Sequence, residues 1–162
     1  MGYWYNPNIH PVTEFYKRLE TLKIFNDSNG IKTIIDEEYG LVDFVRTAAF
    51  RESERCRFCY QMRIEKAAQI ASKGNFDAFT TTLMYSKWQD HDLMKEFCEL
   101  ASDKYKVAFH YEDYREGWQE GINMSKDQGM YRQQYCGCIY SEEDRYRKQL
   151  SAKFAKGETT FL

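Results

Sequence analysis

No apolar run in this 162-residue chain approaches the length of a membrane span, and no signal peptide is recognisable, so a soluble, cytoplasmic protein is expected. Internal repeats and low-complexity segments are also missing. Charge of either sign is lacking in excess, with a formal net charge of -2, which argues against a protein that coats nucleic acid nonspecifically. The length suits one domain with a real core. We expect a single α/β metal-binding domain over 1–156 and a disordered tail over 157–162.

Cysteine is scarce, at five residues, yet four of the five fall in two tight pairs, Cys56-x-x-Cys59 and Cys136-Gly137-Cys138. Two thiolate pairs brought together by a fold make a four-sulfur site suited to zinc or an iron–sulfur cluster, because soft metals prefer soft ligands. A disulfide framework does not fit a reducing compartment. A thioredoxin-like pair at Cys56 and Cys59 leaves the second pair unexplained. Cys98 falls at helical spacing with Leu93, Met94 and Phe97 and reads as a core thiol.

Thirteen tyrosines and eleven phenylalanines are interleaved with arginines, a mixture found where surfaces stack on bases or pack a cofactor. From Arg46 to Arg63 five arginines outnumber Glu52 and Glu54 and enclose the first cysteine pair. The segment reads either as a solvated helix flank or as a phosphate-contacting rim.

Strand and helix alternate along the chain. Gly2–Tyr5 is an aromatic strand stopped by Asn6-Pro7-Asn8, and Thr13 opens a helix that ends near Gly30. Ile31–Ile35 is a second strand, followed by a weaker helix over Leu41–Ala49. After Cys59, Met62, Ala67, Ile70 and Ala71 mark a helix closed by a left-handed Gly74. Ala78–Leu83 is a third strand, Asp90–Tyr105 a helix and Val107–Phe109 a fourth strand. Such alternation predicts a mainly parallel sheet with flanking helices and a ligand site at the carboxyl ends of its strands. Beyond His110 the chain is irregular until Ser141 opens a last helix with acidic residues in its first turn.

Taken in order, Tyr5-Asn6-Pro7-Asn8-Ile9-His10-Pro11, Cys56-x-x-Cys59 with Arg63, Thr80-Thr81-Thr82-Leu83 with Ser86, and Tyr131 through Ser141 around Cys136-Gly137-Cys138 resemble the QueH family of epoxyqueuosine reductases. The resemblance covers roughly Gly2 to Lys148. It implies an adenine nucleotide alpha-hydrolase-like (Rossmann-like) fold. It also implies an oxidoreductase that converts epoxyqueuosine in the tRNA anticodon wobble position to queuosine, the last step of queuosine biosynthesis. By the same resemblance the site holds a 4Fe-4S cluster with an adjacent iron, and Cys56, Cys59, Cys136 and Cys138 match its later cysteines. The family's first strand, which ends in an adjacent Cys-Cys pair, has no counterpart in these residues. Four cysteines satisfy one cluster or one zinc but leave a two-metal site short of ligands. An empty sheet position would expose an edge, which a homodimer would cover.

Removing an epoxide oxygen to leave an alkene takes two electrons and two protons, so a proton donor and an external electron donor are implied. Tyr135 and His10 are candidate donors, each with packing or loop-fixing as its ordinary role. Asn6 and Asn8 are placed to read ribose or cyclopentane hydroxyls, or simply to form the turn. Thr81 would face the same crevice. Arg57, Arg132 and Gln133 would stabilise a negative cluster or hold an anticodon phosphate, with ordinary salt bridges as the alternative. A zinc-stabilised RNA-binding module is the competing reading of the same residues.

Overall fold

The computed structural model describes residues 1–157, and beyond Gly157 the predicted disordered tail lies outside the described residues. Its elements are β1 (Gly2–Tyr5), α1 (Val12–Ser28), β2 (Thr33–Asp36), α2 (Leu41–Ala48), α3 (Arg55–Lys73), β3 (Ala78–Phe79), α4 (His91–Tyr105), β4 (Ala108–Phe109), α5 (Trp118–Asp127) and α6 (Ile139–Ala155). The fold is mixed α/β with short parallel pairings. Among the described residues no helix is long and apolar enough to cross a membrane.

The expected single sheet is instead two parallel ribbons, β1 with β2 and β3 with β4, each joined by one crossover helix. Two clusters of buried side chains accompany them. Trp4, Ile9, Phe15 and Leu19 pack β1 on α1, while Tyr60, Ile64, Phe79, Met94, Cys98 and Val107 join α3, α4, β3 and β4. The second cluster takes up Cys98, which is fully buried. Helix α3 touches both ribbons, packing against β1 and β3 as well as α2 and α4. On the β1 side that contact is a stem-and-ring one, with the Lys66 ammonium 5.1 Å from the Tyr5 ring centre and 3.7 Å from Asp36.

Several local expectations shift by a turn. Helix α3 starts at Arg55, ahead of the first cysteine pair, because a 3-10 turn over Glu52–Glu54 leads the chain into it. The third strand stops at Phe79 because the Thr81 hydroxyl accepts from the Leu83 amide, closing a 3-10 turn over Thr82–Tyr85. Gly74 has φ -84, and Asn75 at φ 51 is the left-handed residue that ends α3. The stretch after His110 contains α5, held by Tyr85, whose ring lies 5.1 Å from that of Trp118 and whose hydroxyl donates to the carbonyls of Gly117 and Trp118.

Candidate functional site

Both cysteine pairs lie at helix N-termini. Cys56 and Cys59 occupy the first turns of α3, about one turn apart and so on the same face. Cys138 is the N-cap of α6, its sulfur accepting from the Ser141 amide at 3.4 Å. The positive ends of two helix dipoles therefore stand beside the thiols and favour their ionised forms. Arg55 links the pairs, since Cys138, Cys56 and Asp144 all act on its charge, and its guanidinium donates to Asp144 at 2.7 Å. Burial is the largest influence and opposes that charge, but Cys138, Cys56 and Asp144 together outweigh it and raise the guanidinium above its ordinary value.

Electrostatics divide the four thiols. The bond to Cys138, followed by that to the Ser141 hydroxyl, holds Cys136 below the ordinary thiol range, and Arg18 adds to the effect. Its partner Cys138 is pushed up by the same bond and by burial, so the pair gives up its first proton readily and its second reluctantly. Burial pushes Cys59 up to about 11 against the pull of Arg63. It also raises Cys56, with Cys136 adding and Arg55 opposing.

Does this donor set suit a metal? The Cys136 and Cys138 sulfurs are 3.9 Å apart, close to the roughly 3.8 Å that tetrahedral thiolates at about 2.3 Å from one ion require. The first pair shares the electrostatic neighbourhood of the second. Yet among the described residues no three His, Cys, Asp or Glu side chains stand close enough to hold one ion. The chemistry and one chelating pair fit; full four-sulfur ligation needs the pairs to draw together.

The loop carrying the second pair is fastened to the carboxyl end of β1. The His10 amide donates to the Gly137 carbonyl at 2.7 Å, and the Tyr135 hydroxyl donates to the His10 carbonyl. Gly137 has φ 132, and a methyl group there would meet Ile9 at 3.1 Å and Arg18 at 3.2 Å, so only glycine fits between the cysteines. Asn6 and Asn8 are buried, Asn8 with its Nδ2 close to Gly137 and its Oδ1 lacking a partner among the described residues. The His10 ring is fully enclosed against Tyr39 and Phe44, among the described residues neither nitrogen has a partner at good hydrogen-bonding geometry, and burial lowers it to about 4, with the nearby Pro7 backbone opposing. Burial also pushes the Tyr135 hydroxyl well up.

The remaining predicted residues are dispersed. Thr81 spends its hydroxyl on the turn that follows β3. Arg57 lies 3.6 Å from Glu54 and over the Phe97 ring, Arg46 lies 3.8 Å from Asp43, and Arg55 takes Asp144, so much of the arginine-rich segment is matched by carboxylates. Arg132 is exposed, and Gln133 accepts from Arg18. Sequence reading missed Arg18 itself, Glu14 and Ser141. The i, i+4 spacing of Glu14 and Arg18 was the available signal, but nothing in it pointed to a loop more than a hundred residues away.

An α/β scaffold that gathers thiols at helix N-termini beside a strand end defines a class of candidate metal- or redox-dependent proteins. Comparison with known proteins narrows it. The family model described as epoxyqueuosine reductase QueH matches residues 1–144, and the chain belongs to that family. Similar proteins bearing the name epoxyqueuosine reductase QueH include one from Dehalococcoides mccartyi, 34% identical over 90% of this chain and 80% of its own length. Another, from Thermotoga maritima, is 31% identical over 96% of this chain and 85% of its own. One from Histophilus somni is 37% identical over 88% of this chain and 61% of its own length, so the chain spans less than two thirds of that relative.

Proposed function

We propose that this chain reduces the epoxide of epoxyqueuosine in the wobble position of tRNA, giving queuosine, with electrons from an external donor. Family membership carries the reading, and the gathering of both thiol pairs at helix N-termini supports it. A 4Fe-4S cluster with an adjacent iron, when bound, supplies the electrons at the site and a Lewis acid for the epoxide oxygen. Cys56, Cys59, Cys136 and Cys138 are the residues to hold it, with Arg55 and the two helix dipoles balancing thiolate charge. The reaction consumes two electrons and two protons and releases the epoxide oxygen as water.

Tyr135 is our proton-donor candidate because it stands next to Cys136 and carries a hydroxyl proton, held in this structure by the His10 carbonyl, whereas the enclosed His10 ring stays neutral near pH 7. His10 then serves to hold the loop through its backbone. Arg57, Arg132 and Gln133 are assigned to the negative charge of the cluster or to anticodon phosphate, and Asn6, Asn8 and Thr81 to the crevice that takes the ribose and cyclopentane hydroxyls of the extruded nucleotide. We further propose that the ribbons belong to an adenine nucleotide alpha-hydrolase-like sheet, that the protein works in the cytoplasm, and that its open strand edges are covered in a homodimer.

The 3.9 Å bite of Cys136 and Cys138 favours one alternative, a zinc-stabilised RNA-binding module. Iron, zinc and acid-labile sulfide per chain, measured on protein purified without oxygen, separate the two. Near-equal iron and sulfide, with loss of epoxyqueuosine reduction on replacing any paired cysteine by alanine, is the expected result. Zinc without sulfide sinks the reductase reading.

A further inference from the structure

The Cys136-Gly137-Cys138 loop has no regular structure to fix it, yet one side chain reaches it from a distant helix. Arg18 on α1 has a side chain only 9% exposed. Its Nη1 donates to the Gln133 side-chain oxygen at 2.8 Å and to the Cys136 carbonyl at 3.0 Å, and its Nη2 donates to the Tyr135 carbonyl at 3.0 Å. Nε donates to Glu14 at 2.7 Å, and the guanidinium lies 5.5 Å from the Tyr135 ring centre. Glu14 is itself buried and accepts from the Tyr131 hydroxyl with its other oxygen. A planar fork is thus spent on three acceptors of one loop and on the carboxylate that neutralises it.

Such a network differs from an ordinary helix ion pair. The Arg18–Glu14 pair would close equally well without the loop, since its residues are one turn apart. What the extra donors fix is the backbone on both sides of Cys136, and a carbonyl pinned on each side leaves the peptide little freedom to rotate. The Gly137 carbonyl is held separately by His10, so each peptide that could swing a sulfur away is tied down.

We propose that Arg18, oriented by Glu14, is the positioning residue that presets the Cys136–Cys138 chelate for metal capture. This rests on the thiolate-metal reading above. Removing such outer support of a metal ligand characteristically weakens binding by about 10- to 100-fold. Lysine cannot replace the fork, because a single ammonium cannot donate in one plane to Gln133, two carbonyls and Glu14 together.

The test is titration of the metal-free protein with Co(II), following thiolate-to-cobalt absorption, for the wild type, Arg18→Lys, Arg18→Met and Gln133→Ala. Thermal unfolding of each metal-free protein reads the fold separately. Arg18→Lys is expected to stay folded, bind Co(II) about 10- to 100-fold more weakly, and lose roughly half the absorption per cobalt as two of four thiolates drop out. A merely structural role would lower the unfolding temperature and leave that intensity unchanged. Wild-type affinity and intensity in the folded Arg18 or Gln133 variants overturn the proposal alone. Absence of a thiolate band in the wild type overturns the metal reading beneath it, and the proposal falls with it.

Discussion

Acid should weaken this protein through one imidazole. His10 is fully enclosed, its ring centre 5.2 Å from that of Phe44 and 5.7 Å from that of Tyr39, and among the described residues neither nitrogen has a partner at good hydrogen-bonding geometry, leaving only the Pro7 backbone to favour its charge. Charging it there exposes a cation to rings in place of water, so burial lowers it from 6.5 to about 4 in the folded chain. Between those values the unfolded chain binds a proton that the folded chain does not, and stability falls as pH falls. The contribution is complete above pH 6.5 and is lost as pH drops toward about 4. A difference of that size corresponds to about 3 kcal/mol. Replacing His10 by leucine, of similar bulk and without a proton to gain, removes this dependence. Urea unfolding of wild type and His10→Leu, compared from about pH 7 to about pH 4, should therefore give stability curves that diverge by about 3 kcal/mol toward acid. Parallel curves, or a His10 titration near 6.5 by NMR, would show that the ring is hydrated and that the burial argument fails.

Two further outcomes test local contacts. A methyl group on Gly121 runs into the Tyr85 hydroxyl, which is committed to the carbonyls of Gly117 and Trp118, so Gly121→Ala should cost about 1–3 kcal/mol, read by urea unfolding, with faster hydrogen exchange confined to α5. Asp144 joins Arg55 across α6 and α3 at 2.7 Å but is 69% exposed, so Asp144→Asn should change stability by less than about 1 kcal/mol; a larger loss in the same assay would mean that the pair is far less hydrated than its exposure implies.

Residue patterns in the sequence located most helices and all four strands, because apolar spacing and turn residues report local preference directly. They failed where a side chain's decision is tertiary. Thr81 looked like a strand residue by composition, yet its hydroxyl ends the strand. Helix α5 buries none of its side chains fully, so its pattern carried little signal, and Tyr85 with Trp118 explains why it docks. The cysteine pairs were legible from spacing alone. The carboxylate partners of the arginine-rich segment were partly local, as with Arg57 and Glu54, and partly remote, as with Arg55 and Asp144. Arg18 was invisible because each of its acceptors on the thiol loop is more than a hundred residues away.

The division of the interior into two clusters has a mechanical consequence. Cys56 and Cys59 ride on α3, whose buried face belongs with α4, β3 and β4, whereas the loop of Cys136 and Cys138 is bolted to α1 and to the segment that joins β1 to α1. Any ion gripped by sulfurs from both pairs would therefore rivet together two blocks that otherwise meet where α3 packs on β1, and sulfur spacing would change with the set of one block on the other. The grip on the ion and the set of the blocks are then one variable, legible from either end.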